Sequence, residues 1–188
     1  MAATNKKMTF GLIVGNRGFF PDMLAKEGRE VLVRILDKLG YGVIAPSPQD
    51  TKFGCVETWP ESRACADLFK KHRDEIDGVI VTLPNFGEER GIADALKLAG
   101  LDVPVLVHAW DDDADKMTIQ HRRDSFCGKM STCANLTQYG IPFTLTRRHT
   151  MAPETPEFEE ELRCFAAVCR VANGLSNCRV GAIGARPA

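Results

Sequence analysis

The densest concentration of side chains able to do chemistry lies between Ile119 and Thr150, in IQHRRDSFCGKMSTCANLTQYGIPFTLTRRHT. Arg122, Arg123, Asp124, Lys129, Asn135, Gln138, Arg147, Arg148, His121 and His149 stand here around Cys127, Cys133 and Gly128. So many donors are not buried without acceptors, and a held polar ligand is one way to supply them. Three catalytic patterns can be drawn in this stretch, and each lacks a part. Cys127 beside Lys129, with His121 upstream, has the residue types of an activated thiol, but nothing in the spacing fixes base against nucleophile. His-Arg-Arg-Asp has the outline of a kinase catalytic loop without a glycine-rich loop, strand lysine or Asp-Phe-Gly elsewhere. Cys-Gly-Lys-Met has the outline of a phosphate loop, with Arg123 where its first glycine belongs and Met130 where Ser or Thr would hold magnesium.

Three further positions carry chemistry. Arg17 sits on the turn Asn16-Arg17-Gly18, where its fork can meet hydroxyls or an anion, or pair with a surface carboxylate. Phe86 stands at the tip of Pro84 to Glu89, suited to stack on the apolar face of a sugar or to cover its own helix. Asp111, Asp112, Asp113 and Asp115 offer hard oxygens for a divalent cation, but four adjacent acids read better as a solvated loop tip. His149 reads as a hydrogen-bonding residue and His72 as a surface one.

The elements that must position these groups alternate in type. TFGLIVG before Asn16 is a buried strand, Pro21 to Gly40 a helix, and Tyr41 to Ala45 the next strand. A helix from Pro60 with an Ala64, Leu68 and Phe69 stripe leads to VIVTL, and Glu88 to Leu98 is a helix followed by the strand VPVLVHAW. A fifth strand is expected from about Phe143. Thr155 to Asn173 reads as a long helix with Phe158, Leu162, Phe165, Ala166 and Cys169 inward and Gly174 as its stop. This pattern predicts an α/β fold, a flavodoxin-like three-layer sandwich around a parallel sheet of order 2-1-3-4-5. The expected core is Leu12, Val14, Val43, Ile80, Val105 and Val107. RVGAIGARPA reads as the first strand of a second α/β domain, which divides the chain into 1–174 and 175–188.

At 188 residues and 44 % hydrophobic, the chain suffices for one core. A net charge of -1 gives no support to a nucleic-acid partner. No apolar run reaches the roughly 20 residues of a membrane span, and MAATNKK lacks the apolar core of an export signal, so a cytoplasmic location is expected. Seven cysteines without a Cys-x-x-Cys pair read as reduced thiols that bind no zinc.

VGNRGFFPD, LPNFGEERG, RDSFCGKMS and RVGAIGARPA together resemble the amino-terminal part of the L-fucose isomerase and L-arabinose isomerase superfamily, especially its fucose-isomerase-like branch. The resemblance runs over nearly the whole chain from Met8. It implies an enzyme that interconverts aldoses and ketoses through an enediol, usually with a divalent metal, often manganese. The carboxylates and metal ligands of such enzymes lie in later domains, so the resemblance assigns no catalytic residue, metal ligand or cofactor to this chain, and an isolated chain without isomerase activity. What it implies for the amino-terminal domain is assembly of a homo-oligomer and delivery of sugar-contacting residues to a site shared between subunits. Carried over position by position, those residues are Arg17, Phe86, Arg123 and Lys129. The better-studied fucose and arabinose isomerases differ around Arg123 and Lys129, which leaves the sugar open. An anionic derivative is compatible with the positive excess between Lys116 and Arg148. The same architecture also serves sugar-sensing modules without catalysis.

Overall fold

A computed structural model of the chain describes residues 6–176 and 178–184. Five parallel strands form one sheet: β1 (Thr9–Val14), β2 (Gly42–Ile44), β3 (Gly78–Leu83), β4 (Val105–Ala109) and β5 (Thr144–Leu145). Their order is β2-β1-β3-β4-β5, as the alternating pattern predicts. Helices α1 (Asp22–Lys38), α2 (Trp59–Lys71), α3 (Glu89–Ala99), α4 (Ser125–Gln138) and α5 (Pro156–Ser176) cover both faces. The period of two along each strand divides the core. Phe10, Leu12, Val14, Ile80 and Leu106 pack with α1 and α5, whereas Ile13, Val79, Val81, Val105 and Val107 pack with α2, α3 and α4. The chain is thus a flavodoxin-like three-layer sandwich.

The differences from the sequence reading have local causes. Val43 is only partly buried, because β2 is three residues long and sits at the sheet edge. The buried face of α2 is Ser62, Cys65, Ala66 and Phe69, so Ala64 and Leu68 flank the contact. Small residues carry much of that face, and a stripe chosen by bulk alone is rotated from it. After β4 and the acidic run, α4 begins at Ser125. Helix α5 buries all five expected residues but runs through Gly174 to Ser176. Residues 178–184 form no strand, with Val180 and Ile183 exposed, and the rest of RVGAIGARPA lies outside the described residues.

All seven cysteines are free. Burial pushes the Cys55 and Cys169 thiols up to about 12, and that of Cys65 higher still, so these three are inert core residues at neutral pH.

Candidate active-site region

Strand order reverses between β1 and β3, the point at which sheets of this kind bind ligands, and the loops leaving the two carboxyl ends meet there. Buried amides hold the two loops in register. The Asn85 amide nitrogen donates to Asn16 Oδ1 at 2.8 Å, and the Gly87 N–H donates to Asn85 Oδ1 at 3.1 Å. Asn16 passes the connection on, donating to Asp22 at 2.9 Å and to Glu57 at 2.7 Å. Glu57 also accepts the Gly18 N–H at 2.6 Å, which shapes the turn that carries Arg17. Asn16 and Asn85 are 1 % and 0 % exposed, and each finds partners as burial demands.

Arg17 and Phe86 meet on this frame. The Arg17 guanidinium lies 4.9 Å from the Phe86 ring centroid, and Phe20 stacks on Phe86 at 5.4 Å. Nη1 of Arg17 donates to Glu89 at 2.7 Å, and Nε lies 3.7 Å from Glu88. Arg17 keeps a third of its side-chain surface open, so its remaining N–H groups reach solvent. Partial burial raises the Glu88 pKa, an effect opposed by Arg17 and reinforced by Glu89 and Glu57.

The Phe86 loop is braced from two sides by helical glycines. A Cβ on Gly128 of α4 would lie 2.0 Å from the Phe86 carbonyl oxygen, and one on Gly28 of α1 would lie 2.3 Å from Pro84 Cγ. Arg123 adds a third brace, donating from Nη1 to the Pro84 carbonyl at 2.7 Å while its guanidinium lies 4.9 Å from the Trp110 ring. Arg123 also lines a cleft of about 520 Å³ with Trp110, Lys116, His121, Glu27 and Glu154. It therefore touches the Phe86 loop through the backbone and faces a neighbouring cleft with its rim.

Lys129 stands apart from these three. Its side chain is 0 % exposed, and the ammonium donates to Thr146 Oγ1 at 2.7 Å and to the His149 carbonyl at 2.8 Å. It ties α4 to the segment after β5, turned away from solvent. Desolvation pulls its pKa down to about 8. The folded state thus binds the proton less tightly than the unfolded chain, whose lysine titrates near 10.5. Stability contributed by this group is present above about 10.5 and is lost as pH falls through 8. Measured by urea unfolding against Lys129→Met, the wild-type chain should gain up to about 3 kcal/mol between pH 8 and 10.5. A difference that stays flat with pH would show that the amine is not desolvated.

A second buried polar chain went unnoticed in the sequence because its histidine lies within an apolar strand. The Trp110 Nε1–H donates to Thr82 Oγ1 at 3.1 Å, the Thr82 hydroxyl pairs with His108 Nδ1 at 2.9 Å, and His108 Nε2 pairs with the Met151 carbonyl at 2.9 Å. Burial lowers the His108 pKa to about 3, so the ring is neutral. It donates to Met151 and accepts from Thr82, which fixes Trp110 beneath Arg123.

The acidic run has structural partners. Asp112 accepts the Ser125 and Phe126 N–H groups at the start of α4, and Asp113 holds the Asp115 N–H and lies 3.2 Å from Lys116. His121 bonds Thr118, His149 the Phe126 carbonyl, and His72 Glu75. Among the described residues no three His, Cys, Asp or Glu side chains are grouped to hold a metal ion. The described residues do not fit a metal centre.

A parallel α/β sandwich with polar loops meeting at its switch point is of the doubly wound class. Residues 11–176 match the family described as fucose/sulfoquinovose isomerase, N-terminal domain. The chain belongs to that family, and is the amino-terminal domain type of a sugar isomerase. No curated protein matches it. Among the described residues no helix is long and apolar enough to cross a membrane.

Proposed function

We propose that this domain serves a cytoplasmic, manganese-dependent aldose–ketose isomerase by presenting Arg17 and Phe86 to the end of the sugar remote from the reacting carbons. The observation that carries this reading is the Arg17–Phe86 pair, held by bonded loops beyond the carboxyl ends of β1 and β3. Guanidinium N–H groups donate to sugar hydroxyls, and the aromatic face packs on the C–H side of the ring. Arg123 and Trp110 hold the Phe86 loop from below, and Lys129 anchors α4, on which Gly128 supports that loop. In this reading Arg123 and Lys129 act on the sugar through Phe86. The carboxylates that move the proton and the metal that polarises the sugar oxygens belong to other parts of the enzyme. The site is completed by another subunit of a homo-oligomer.

The test is a coupled assay of aldose consumption with manganese present, run on the isolated chain and on the complete isomerase. Turnover by the complete enzyme and none by the chain is the expected result. Turnover by the purified chain would place the proton-moving groups here. Failure of the complete enzyme on a panel of aldoses would favour the sensing module.

A further inference from the structure

The cleft of about 520 Å³ beside Arg123 takes no part in the Arg17–Phe86 reading, yet it has the size of a small-molecule site. Met23, Leu24, Trp110 and Pro153 give it apolar surface, and Arg123, Glu27 and Asp111 give it charge. Its other ion-pairing charges are answered within the fold, Asp113 by Lys116 at 3.2 Å and Glu154 by Arg34 at 2.7 Å. Arg123 is not answered. Its guanidinium gives one N–H to the Pro84 carbonyl and lays its face against Trp110, and among the described residues its other N–H groups meet no acceptor and no carboxylate. Burial lowers its pKa, and the acids that oppose this, Glu27, Asp112 and Asp113, act through their fields without touching it. A desolvated cation is ordinarily bonded to its counter-charge. Here the fork is held in place instead from below, because Trp110 is anchored through Thr82 and His108 to the Met151 carbonyl. Glu27 and Asp111, for their part, form no hydrogen bond or ion pair among the described residues.

We propose that this cleft binds a free α-amino acid with an apolar side chain, its carboxylate on the Arg123 fork, its ammonium between Glu27 and Asp111, and its side chain against Met23, Leu24 and Trp110. The unanswered charges select this class. A purely anionic ligand satisfies Arg123 but adds to the excess of Glu27 and Asp111, a phosphate most of all. An amine alone satisfies the two acids and leaves the arginine without an acceptor. A zwitterion meets both signs and brings no net charge into the cleft. Its carboxylate would share the guanidinium that holds the Pro84 carbonyl, so occupancy of the cleft is linked to the loop that carries Phe86. The site itself stands on this chain alone and does not depend on the isomerase reading.

The test uses the full chain carrying Trp59→Phe, which replaces a half-exposed ring and leaves Trp110 as the one tryptophan. Titration with L-leucine and with L-methionine is followed by Trp110 emission and by calorimetry. Saturable binding of both is expected, weakened by about tenfold or more in the α-hydroxy analogue of leucine, which lacks the ammonium, and in leucinol, which lacks the carboxylate. Glu27→Gln, on the exposed face of α1, should weaken L-leucine and leave the α-hydroxy acid unaffected, whereas Arg123→Lys should weaken L-leucine and leave leucinol unaffected. Thermal melting checks the folding of each variant. No saturation by either amino acid up to about 10 mM, analogues that bind as well as L-leucine, or affinity indifferent to Glu27→Gln would overturn the proposal.

Discussion

Gly128→Ala should lower the stability of the domain by about 2 kcal/mol, although alanine is the better helix former by about 1 kcal/mol. The reason is the contact that the glycine permits. A Cβ here would sit 2.0 Å from the Phe86 oxygen, 2.7 Å from its carbonyl carbon and 2.8 Å from its Cα. All three are backbone atoms, so no side chain can rotate out of the way. Either α4 moves off the sheet, opening the contacts that Leu136 makes in the core, or the Phe86 loop shifts and breaks the Arg123 bond to Pro84. Urea denaturation reads the first outcome, and the KM of the complete isomerase reads the second, because Phe86 would no longer face Arg17. A variant as stable as the wild type with an unchanged KM would mean that α4 does not brace this loop.

Arg17→Ala should raise KM for the sugar by about ten- to a hundredfold, corresponding to the ~1.5 to 3 kcal/mol of a hydrogen bond to a charged group. Its effect on kcat should be smaller, since an interaction made equally with substrate and transition state alters binding alone. Arg17→Lys should recover part of the loss. Lysine keeps the charge for Glu89 but lacks the planar fork that lies over Phe86. If Arg17 only held Glu88 and Glu89 at the start of α3, the alanine variant would lose stability and leave KM unchanged.

The fold was largely legible because its strands are short apolar runs separated by amphipathic helices, and the alternation dictates a parallel sheet. Helix α4 was hidden for a physical reason. Its buried positions are Ser125, Gly128, Lys129, Thr132 and Leu136, a face with one large apolar residue, so no hydrophobic stripe announces it. The same composition concealed what Gly128 and Lys129 do. Both meet partners distant in sequence, the Phe86 carbonyl and the Thr146 hydroxyl, which composition cannot identify. Arg17 and Phe86 were legible as loop residues beyond strand ends, but their pairing with each other and with Glu88 and Glu89 depends on the order of β1 and β3. Asn16, Asn85 and His108 read as ordinary residues in sequence, and only burial shows that their polar atoms must be satisfied.

Whether Arg17 and Phe86 touch the sugar is read directly from a crystal structure of the complete isomerase with an unreactive alditol, L-fucitol. An Arg17 nitrogen should lie within about 3 Å of a hydroxyl far from C1 and C2, with the Phe86 ring against the chain's C–H face. A bound alditol with Arg17 still closed on Glu89 and Phe86 out of contact would show that this pair does not touch the sugar.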